Sequence, residues 1–330
     1  MNNFDLKILY NNKTRYLAFT VLKDYENDTI KSFLKNKLLF SEKMLNRIKH
    51  RKDGILINDK YCFINAIIHE NDVVKIRLCD IGEIDTTSQS IWATPPSNMP
   101  PLSILYEDDD LLFLNKKSGI VCHPSPGHYA DTLSNQVAFH LGIKKGAIYP
   151  IGRLDKDTSG IVLFAKNSDS ATIFTKEQMN HLYKKTYYAW VEGEIKEDNL
   201  IIDKPIREKP NCLMIREVHK DGKPAKTFVK KIRFSKEENR TLIEVKISNG
   251  RTHQIRVHLA SIGHPICEDP LYNRKSDFKD IRESNTINKM NKKVNDTLKL
   301  QAYKVSFLTP YFYERKEIIL SDNLSNCTLK

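Results

Sequence analysis

Residues 151–166 read Ile151-Gly-Arg-Leu-Asp-Lys-Asp-Thr-Ser-Gly-Ile-Val-Leu-Phe-Ala-Lys166, a polar, turn-rich half followed by an apolar one. The run from Gly160 to Ala165 is short, apolar and bounded by turn residues, which predicts a buried strand. In the first half Arg153, Asp155 and Asp157 alternate ahead of Thr158-Ser159-Gly160, so in an extended backbone their side chains share a side. A guanidinium and carboxylates would then face one space. The same residues also fit a plain loop whose acids cap nearby backbone donors, and taken alone they leave both readings open.

Working outward, further short β-rich runs flank this stretch: Leu111–Leu114, Tyr187–Val191, Thr227–Ile232, Leu242–Ile247 and Val305–Leu308. Helical spacing is confined to Thr132–Leu141, Ser170–Asn180 and Thr252–Ile262. Many strands with few helices predict an α+β domain with a mixed, mostly antiparallel β-sheet and flanking helices. No G-x-G-x-x-G follows a strand and no G-x-x-x-x-G-K-[ST] occurs, which disfavours dinucleotide and P-loop nucleotide chemistry.

Residues 1–79 read as a separate small unit. Ile30, Phe33, Leu34 and Leu38 are spaced for one helix face, Ser41 caps a second helix carrying Met44, Leu45 and Ile48, and strands follow at Ile55–Ile57 and Val73–Leu78. Between Lys31 and Lys52 eight basic residues, including Lys31, Lys35, Arg47, Lys49 and Arg51, stand against the single acid Glu42. A merely solvated helix face would interleave acids for i,i+4 pairing, so these five are expected to track phosphates. Between the units, residues 80–102 hold four prolines within 95–101 and are expected to form a semi-rigid linker. Residues 103–330 form the second domain, with the polar stretch 273–299 expected as an exposed loop or insertion.

A chain of 330 residues accommodates these two domains, and its 53 Lys+Arg against 41 Asp+Glu give a net +12. That charge is distributed as +6 over 1–79, −3 over 80–102 and +9 over 103–330. Two basic bodies imply a polyanionic partner, of which nucleic acid is the commonest. No stretch approaches the roughly 18 apolar residues of a membrane span, and Met1 to Lys7 lack the basic start and apolar block of a secretory signal, so a cytoplasmic location is expected. The six cysteines contain no C-x-x-C pair, and His253 and His258 fall on different sides of a helix, so neither a disulfide framework nor a metal site is expected. Cys122 and His123 are sequence neighbours that point apart in a strand, which argues against a thiol–imidazole couple.

The segments around the opening stretch resemble the RluA-type pseudouridine synthases. Gly152-Arg153-Leu154-Asp155, Thr158-Ser159-Gly160 and Ala165-Lys166 are similar to that family's signature loop. Asn115 to Pro124 is similar to its lysine-glycine-histidine-proline segment, with Lys117 and Ser118 in place of the usual proline and alanine. Lys185-Thr186-Tyr187 with Val191-Glu192-Gly193 is similar to its tyrosine strand, and Asn249 to Leu259, continued by Gly263-His264-Pro265, to its arginine-helix block. Residues 20–79 resemble the small alpha-L RNA-binding module that accompanies this catalytic domain in some members.

The resemblance implies that Asp155 is the catalytic carboxylate, that Arg256 supplies a paired charge lowering its pKa, and that Tyr187 stacks on the target uracil and assists proton transfer at C5. It implies that Arg153 fills the space left by an extruded uridine and that Lys185 and Arg251 contact RNA. No cofactor is required, and a monomer is expected. Gly152 stands where many members carry histidine, and Gln301 where histidine commonly follows the leucine. The implied substrate is large-subunit ribosomal RNA, with transfer RNA the alternative. A non-catalytic RNA-binding assembly factor competes, but it would have no use for Asp155, which repels phosphate. A base-releasing glycosylase would need water to intercept the intermediate, and no motif supplies it.

Overall fold

Residues 5–12, 14–80, 91–210, 212–273, 297–321 and 324 are described by the structure, a computed structural model. The N-terminal body contains β1 (Lys7–Asn11), β2 (Thr14–Thr20), α1 (Ile30–Asn36), α2 (Glu42–His50), β3 (Ile55–Ile57), β4 (Lys60–Tyr61) and β5 (Val73–Arg77). Its sheet is antiparallel in the order β1-β2-β5-β3-β4. Each helix starts at a hydroxyl cap: Thr29 and Ser41 side chains accept from the Ser32 and Met44 amides, both at 3.2 Å. Phe33, Leu34, Met44 and Ile48 then lie on Leu17, Phe19, Val74 and Ile76, with the Phe19 and Phe33 rings stacked at 4.6 Å.

The second body follows with β6 (Ile104–Glu107), β7 (Leu111–Lys116), α3 (Leu133–His140), β8 (Tyr149–Ile151), β9 (Ser159–Ala165), α4 (Ser168–Met179) and β10 (Lys184–Glu192). It continues through β11 (Asn199–Asp203), β12 (Ile206–Lys209), β13 (Cys212–Val218), β14 (Lys226–Ser235), β15 (Arg240–Ile247), α5 (Gln254–Ala260), β16 (Leu300–Leu308) and β17 (Arg315–Ile319). Ten strands form one sheet whose main path is β11-β14-β15-β10-β16-β9-β7-β6, with β8 beside β9 and β17 beside β16. Among the described strands only the β9–β16 pair is parallel, so the sheet is mixed and mostly antiparallel, as expected. The central strands are apolar on both faces because both are covered: Leu112, Leu114, Val162 and Phe164 point into the core containing α3 and α5 residues, while Phe113, Ile161 and Leu163 pack with Phe174 of α4. That explains the unbroken apolar run after Gly160. Gly160 itself has φ +111, and a Cβ there would stand 2.2 Å from the Ala302 carbonyl oxygen, so the parallel pair closes only over a glycine.

The bodies are joined through buried charge, which corrects the expectation for two N-terminal arginines. Arg51 donates to both carboxylate oxygens of Asp169 at 2.7 and 2.9 Å, and Arg47 donates to the same carboxylate at 3.2 Å. Asp169 is fully buried in the first turn of α4 and also accepts the Cys79 amide. Arg15 adds a bidentate pair with Asp110 at 3.1 Å. Arg47 and Arg51 therefore hold the bodies together rather than joining an open phosphate-tracking face; Lys31, Lys35 and Lys49 remain exposed, the first two beside Glu42.

Part of the expected linker is also structural. Residues 91–102 form neither helix nor strand, yet Trp92 packs against the main core and donates its indole N–H to the Gly146 carbonyl at 2.9 Å. Asn135 and Gln136 of α3 donate to the Ala93 and Pro100 carbonyls at 3.1 and 2.7 Å, fixing the strip to the second body. The strip's residues 81–90 and most of the expected polar insertion, 274–296, lie outside the described residues.

Candidate active site

Between β8 and β9 the chain runs through 152–158 without regular structure, and its backbone carbonyls are held from several sides. Lys116, buried at the end of β7, donates from Nζ to Lys156 O at 2.8 Å, Ile120 O at 2.8 Å and Lys117 O at 3.1 Å. Ser118 Oγ donates to Asp157 O at 2.7 Å, Cys122 Sγ to Leu154 O at 3.2 Å, and Lys185 Nζ to Gly152 O. Burial pushes the Lys116 and Lys185 amines down to about 8. Cys122 is thus a strut of this loop, and no thiol–imidazole couple forms with His123.

This loop borders a cleft of about 1610 Å³ whose walls come from β10, β15, the turn before α5, and the end of α4. Arg153, Asp155, Lys185, Tyr187, Arg251 and Arg256 all line it, so six of the residues singled out from the sequence converge. Because 152–158 is not a strand, the alternation rule does not apply: Arg153 is exposed and Asp155 half-buried at the cleft, while Asp157 lies off it. The five N-terminal residues do not join the cleft.

The Asp155 carboxylate makes no hydrogen bond among the described residues; only its backbone carbonyl is engaged, by the Thr158 amide at 3.2 Å. Tyr187 is 6% exposed, both a core residue and a cleft wall, and β10 shifts register against β16 between Thr186 and Tyr187. Such an irregularity re-aims a side chain next to a site. Burial first, and then the Asp155 charge, hold the Tyr187 phenol above its ordinary range, so it is neutral near pH 7.

Arg256 departs from its expected partner. It is 2% exposed, in the first turn of α5, and donates Nε to Asp269 Oδ2 at 2.8 Å and Nη2 to Asp269 Oδ1 at 2.7 Å. Burial is the largest influence and opposes its charge, but the hydrogen bond to Asp269, the Asp269 charge and the Asp155 charge together outweigh it and hold the guanidinium above its ordinary range. No ion pair joins Arg256 to Asp155 directly; the Asp155 charge reaches the guanidinium only from across the cleft. α5 begins at Gln254, later than the periodicity suggests, and His253 is its left-handed cap residue with φ 55. Its Nδ1 lies 2.9 Å from the Tyr272 hydroxyl, whereas His258 is fully buried against Thr227 and Lys204 as a structural residue. Arg251, exposed at the same turn, donates Nε to Pro224 O at 3.2 Å.

Gly152 has φ +62, and a Cβ would fall 2.9 Å from Gln178 Nε2 and 3.3 Å from the Tyr183 ring. A side chain at this position would adopt a strained left-handed backbone and displace the Gln178 amide and crowd the Tyr183 ring. Asp269 and Tyr272 escaped the sequence reading, and Lys116 entered it only as part of the lysine-glycine-histidine-proline segment. The signal for Asp269 was the Asp-Pro-Leu-Tyr turn at 269–272, in which an aspartate accepts amides two and three residues on.

Residues 110–261 match the family model described as RNA pseudouridylate synthase. The uncharacterized RNA pseudouridine synthase YjbO of Bacillus subtilis (strain 168) is 31% identical over 247 residues, covering 74% of this chain and 83% of that protein. The ribosomal large subunit pseudouridine synthase D of Blochmanniella floridana is 31% identical over 274 residues, covering 81% and 78%. Among solved structures, human RNA pseudouridylate synthase domain containing 1 superposes with a TM-score of 0.54 at 22% identity, covering 69% of this chain and 86% of that one. Matched along most of its length and sharing the fold that frames this cleft, the chain belongs to the RluA-type RNA pseudouridine synthases, enzymes that isomerise uridine in RNA.

Proposed function

We propose that the protein converts uridines of large-subunit ribosomal RNA to pseudouridine, with Asp155 as the catalytic carboxylate. The observation that carries the assignment is the carboxylate itself: half-buried, free of hydrogen bonds among the described residues, and facing a cleft shared with Tyr187, Arg153 and Arg256. Isomerisation breaks the N1–C1′ bond, turns the uracil and forms a C5–C1′ bond, while the C5 proton is lost and N1 gains one. An ionised carboxylate can attack or stabilise the electron-poor partner during the detached stage. A neutral Tyr187 stacks on the ring and takes part in the proton transfer at C5. Exposed Arg153, at the cleft mouth, fills the gap left in the RNA stack once the uridine is extruded.

Ribosomal RNA is preferred as substrate because a relative matched over most of both chains carries that designation, and because the N-terminal body adds a second basic surface. That body acts as the alpha-L-like module, with Lys31, Lys35 and Lys49 facing solvent and available to phosphates. Lys185 and Arg251 contact RNA at the cleft.

Tritium release from RNA labelled at uridine C5 tests the assignment. Wild-type protein is expected to release tritium from large-subunit ribosomal RNA in preference to transfer RNA, and Asp155→Asn to reduce release at least about 10³-fold, the scale lost when a nucleophile is removed. Retained release by Asp155→Asn would remove Asp155 from the mechanism, and preference for transfer RNA would overturn the substrate.

A further inference from the structure

Among the described residues Arg256 has a single carboxylate partner, and it is not the carboxylate of the cleft. Asp269 grips the guanidinium along one edge, Nε and Nη2, and its side chain is wholly inaccessible to solvent. Two parallel N–H···O bonds fix the plane of an arginine as well as its place. Beneath that plane lies the Tyr272 ring, 5.3 Å from Cζ. The remaining amino group, Nη1, takes no hydrogen bond among the described residues, although Arg256 lines the cleft.

The grip is itself fixed. Asp269 Oδ1 accepts the amides of Leu271 at 2.9 Å and Tyr272 at 3.1 Å, so the carboxylate is set by its own turn. Tyr272 closes the turn from outside: its hydroxyl accepts the Arg216 amide of β13 at 2.9 Å and lies 2.9 Å from His253 Nδ1, the cap of the helix that carries Arg256. Asn273 donates to Ile266 O at 3.2 Å and to Glu192 of β10 at 3.3 Å. None of these anchors belongs to loop 152–158. The guanidinium is therefore placed independently of the loop that bears Asp155.

We infer that Asp269 is a positioning residue for the isomerisation, acting through Arg256: it commits one edge of the guanidinium so that the Nη1 edge is presented to the cleft. The inference rests on the reading of Asp155 above and assigns Asp269 a part in the rate beyond neutralising a buried cation. Misplacing a preorganised group by about an ångström can cost on the order of 10² in rate. A structural ion pair alone would alter stability and leave the turnover of folded protein unchanged.

A double-mutant cycle on the full chain separates these roles, read as single-turnover tritium release from C5-labelled large-subunit ribosomal RNA. Asp269→Asn keeps an oxygen for the Leu271 and Tyr272 amides but puts an NH2 against the arginine. Its turnover is expected to fall about 10- to 100-fold with KM within about threefold. In an Arg256→Met background, adding Asp269→Asn is expected to change turnover by less than about twofold, since the group acted upon is gone. Turnover of Asp269→Asn within twofold of wild type, or a loss that multiplies in full upon that of Arg256→Met, would overturn the inference. Should Asp269→Asn fail to fold, Asp269→Glu keeps the charge but displaces it by a methylene, and the same twofold limit then decides. Asp155→Asn run alongside reports on the reading beneath: its continued activity would discard Asp155 while the cycle still judges Asp269.

Discussion

Replacing Asp169 by asparagine probes the joint between the two bodies. The substitution keeps size and shape, but an amide in place of Oδ2 turns a donor toward Arg51 Nη1 at 2.7 Å and the Cys79 amide at 3.1 Å. Removing one partner of a buried pair costs about 3–5 kcal/mol. Here the arginines keep other acceptors: Arg51 retains Arg77 O at 3.0 Å, and Arg47 retains Ser168 O at 3.0 Å and Thr172 Oγ1 at 2.8 Å. The lower end therefore applies, about 3 kcal/mol. At about 2 °C per kcal/mol for a chain of this size, the midpoint drops by roughly 6 °C. Calorimetry should also resolve the N-terminal body melting ahead of the second, since the loss falls on their interface. A midpoint within about 1 °C of wild type, or a single transition displaced as a whole, would refute the view that Asp169 is the joint.

Two further outcomes follow from charge. Glu177 is 3% exposed and burial pushes its carboxyl up to about 7, against which the Leu308 amide and the Arg315 charge work only partly. The folded protein thus keeps a proton that the unfolded chain has released, so stability declines as pH rises from about 4.5 to about 7. Glu177→Gln should remove that decline, gaining on the order of 2 kcal/mol over wild type at pH 8 and little at pH 4.5; equal urea midpoint differences at both pH values would contradict it. Lys31→Glu with Lys49→Glu should weaken RNA binding and flatten its salt dependence, because phosphate contacts set that slope. Arg47→Met, once folded, should leave the slope unchanged, and the opposite ranking in filter binding across salt concentrations would restore Arg47 to the RNA face.

Strand patterns and helix faces were legible because each is a local matter of period and cap chemistry, whereas the cleft loop stood out through its resemblance to a family signature, its alternation having left both readings open. Leu112 and Phe113 face opposite cores, yet their run alone announces a strand covered on both sides. The Ser41 cap was likewise readable from its own helix. What escaped was partner choice. Arg47 and Arg51 carry the same charge as exposed Lys49, and nothing within α2 says that Asp169, over a hundred residues on, waits for two of the three. Arg256 was read with the cleft aspartate because both stand in strong motifs, whereas Asp269 sits in a modest turn. Trp92 was hidden by its prolines: they exclude regular structure, but exclusion of helix and strand does not imply freedom from contact.

The parallel pairing of Gly160 with Ala302 sets an order of assembly. β9 emerges from synthesis well before β16, and β10 lacks one of its two neighbours until the same late strand arrives. The sheet is consequently closed at its middle, not at its edge, and by the longest-range contacts it has. Closing so wide a loop adds little penalty for extra length, since the entropy grows only logarithmically, so the interval between α5 and β16 can lengthen without displacing the strand it delivers. It also means that a nascent chain lacks one flank of the β9 and β10 framework on which Asp155 and Tyr187 are mounted. The walls that carry both residues are therefore completed only when β16, about 140 residues beyond the loop, has been made.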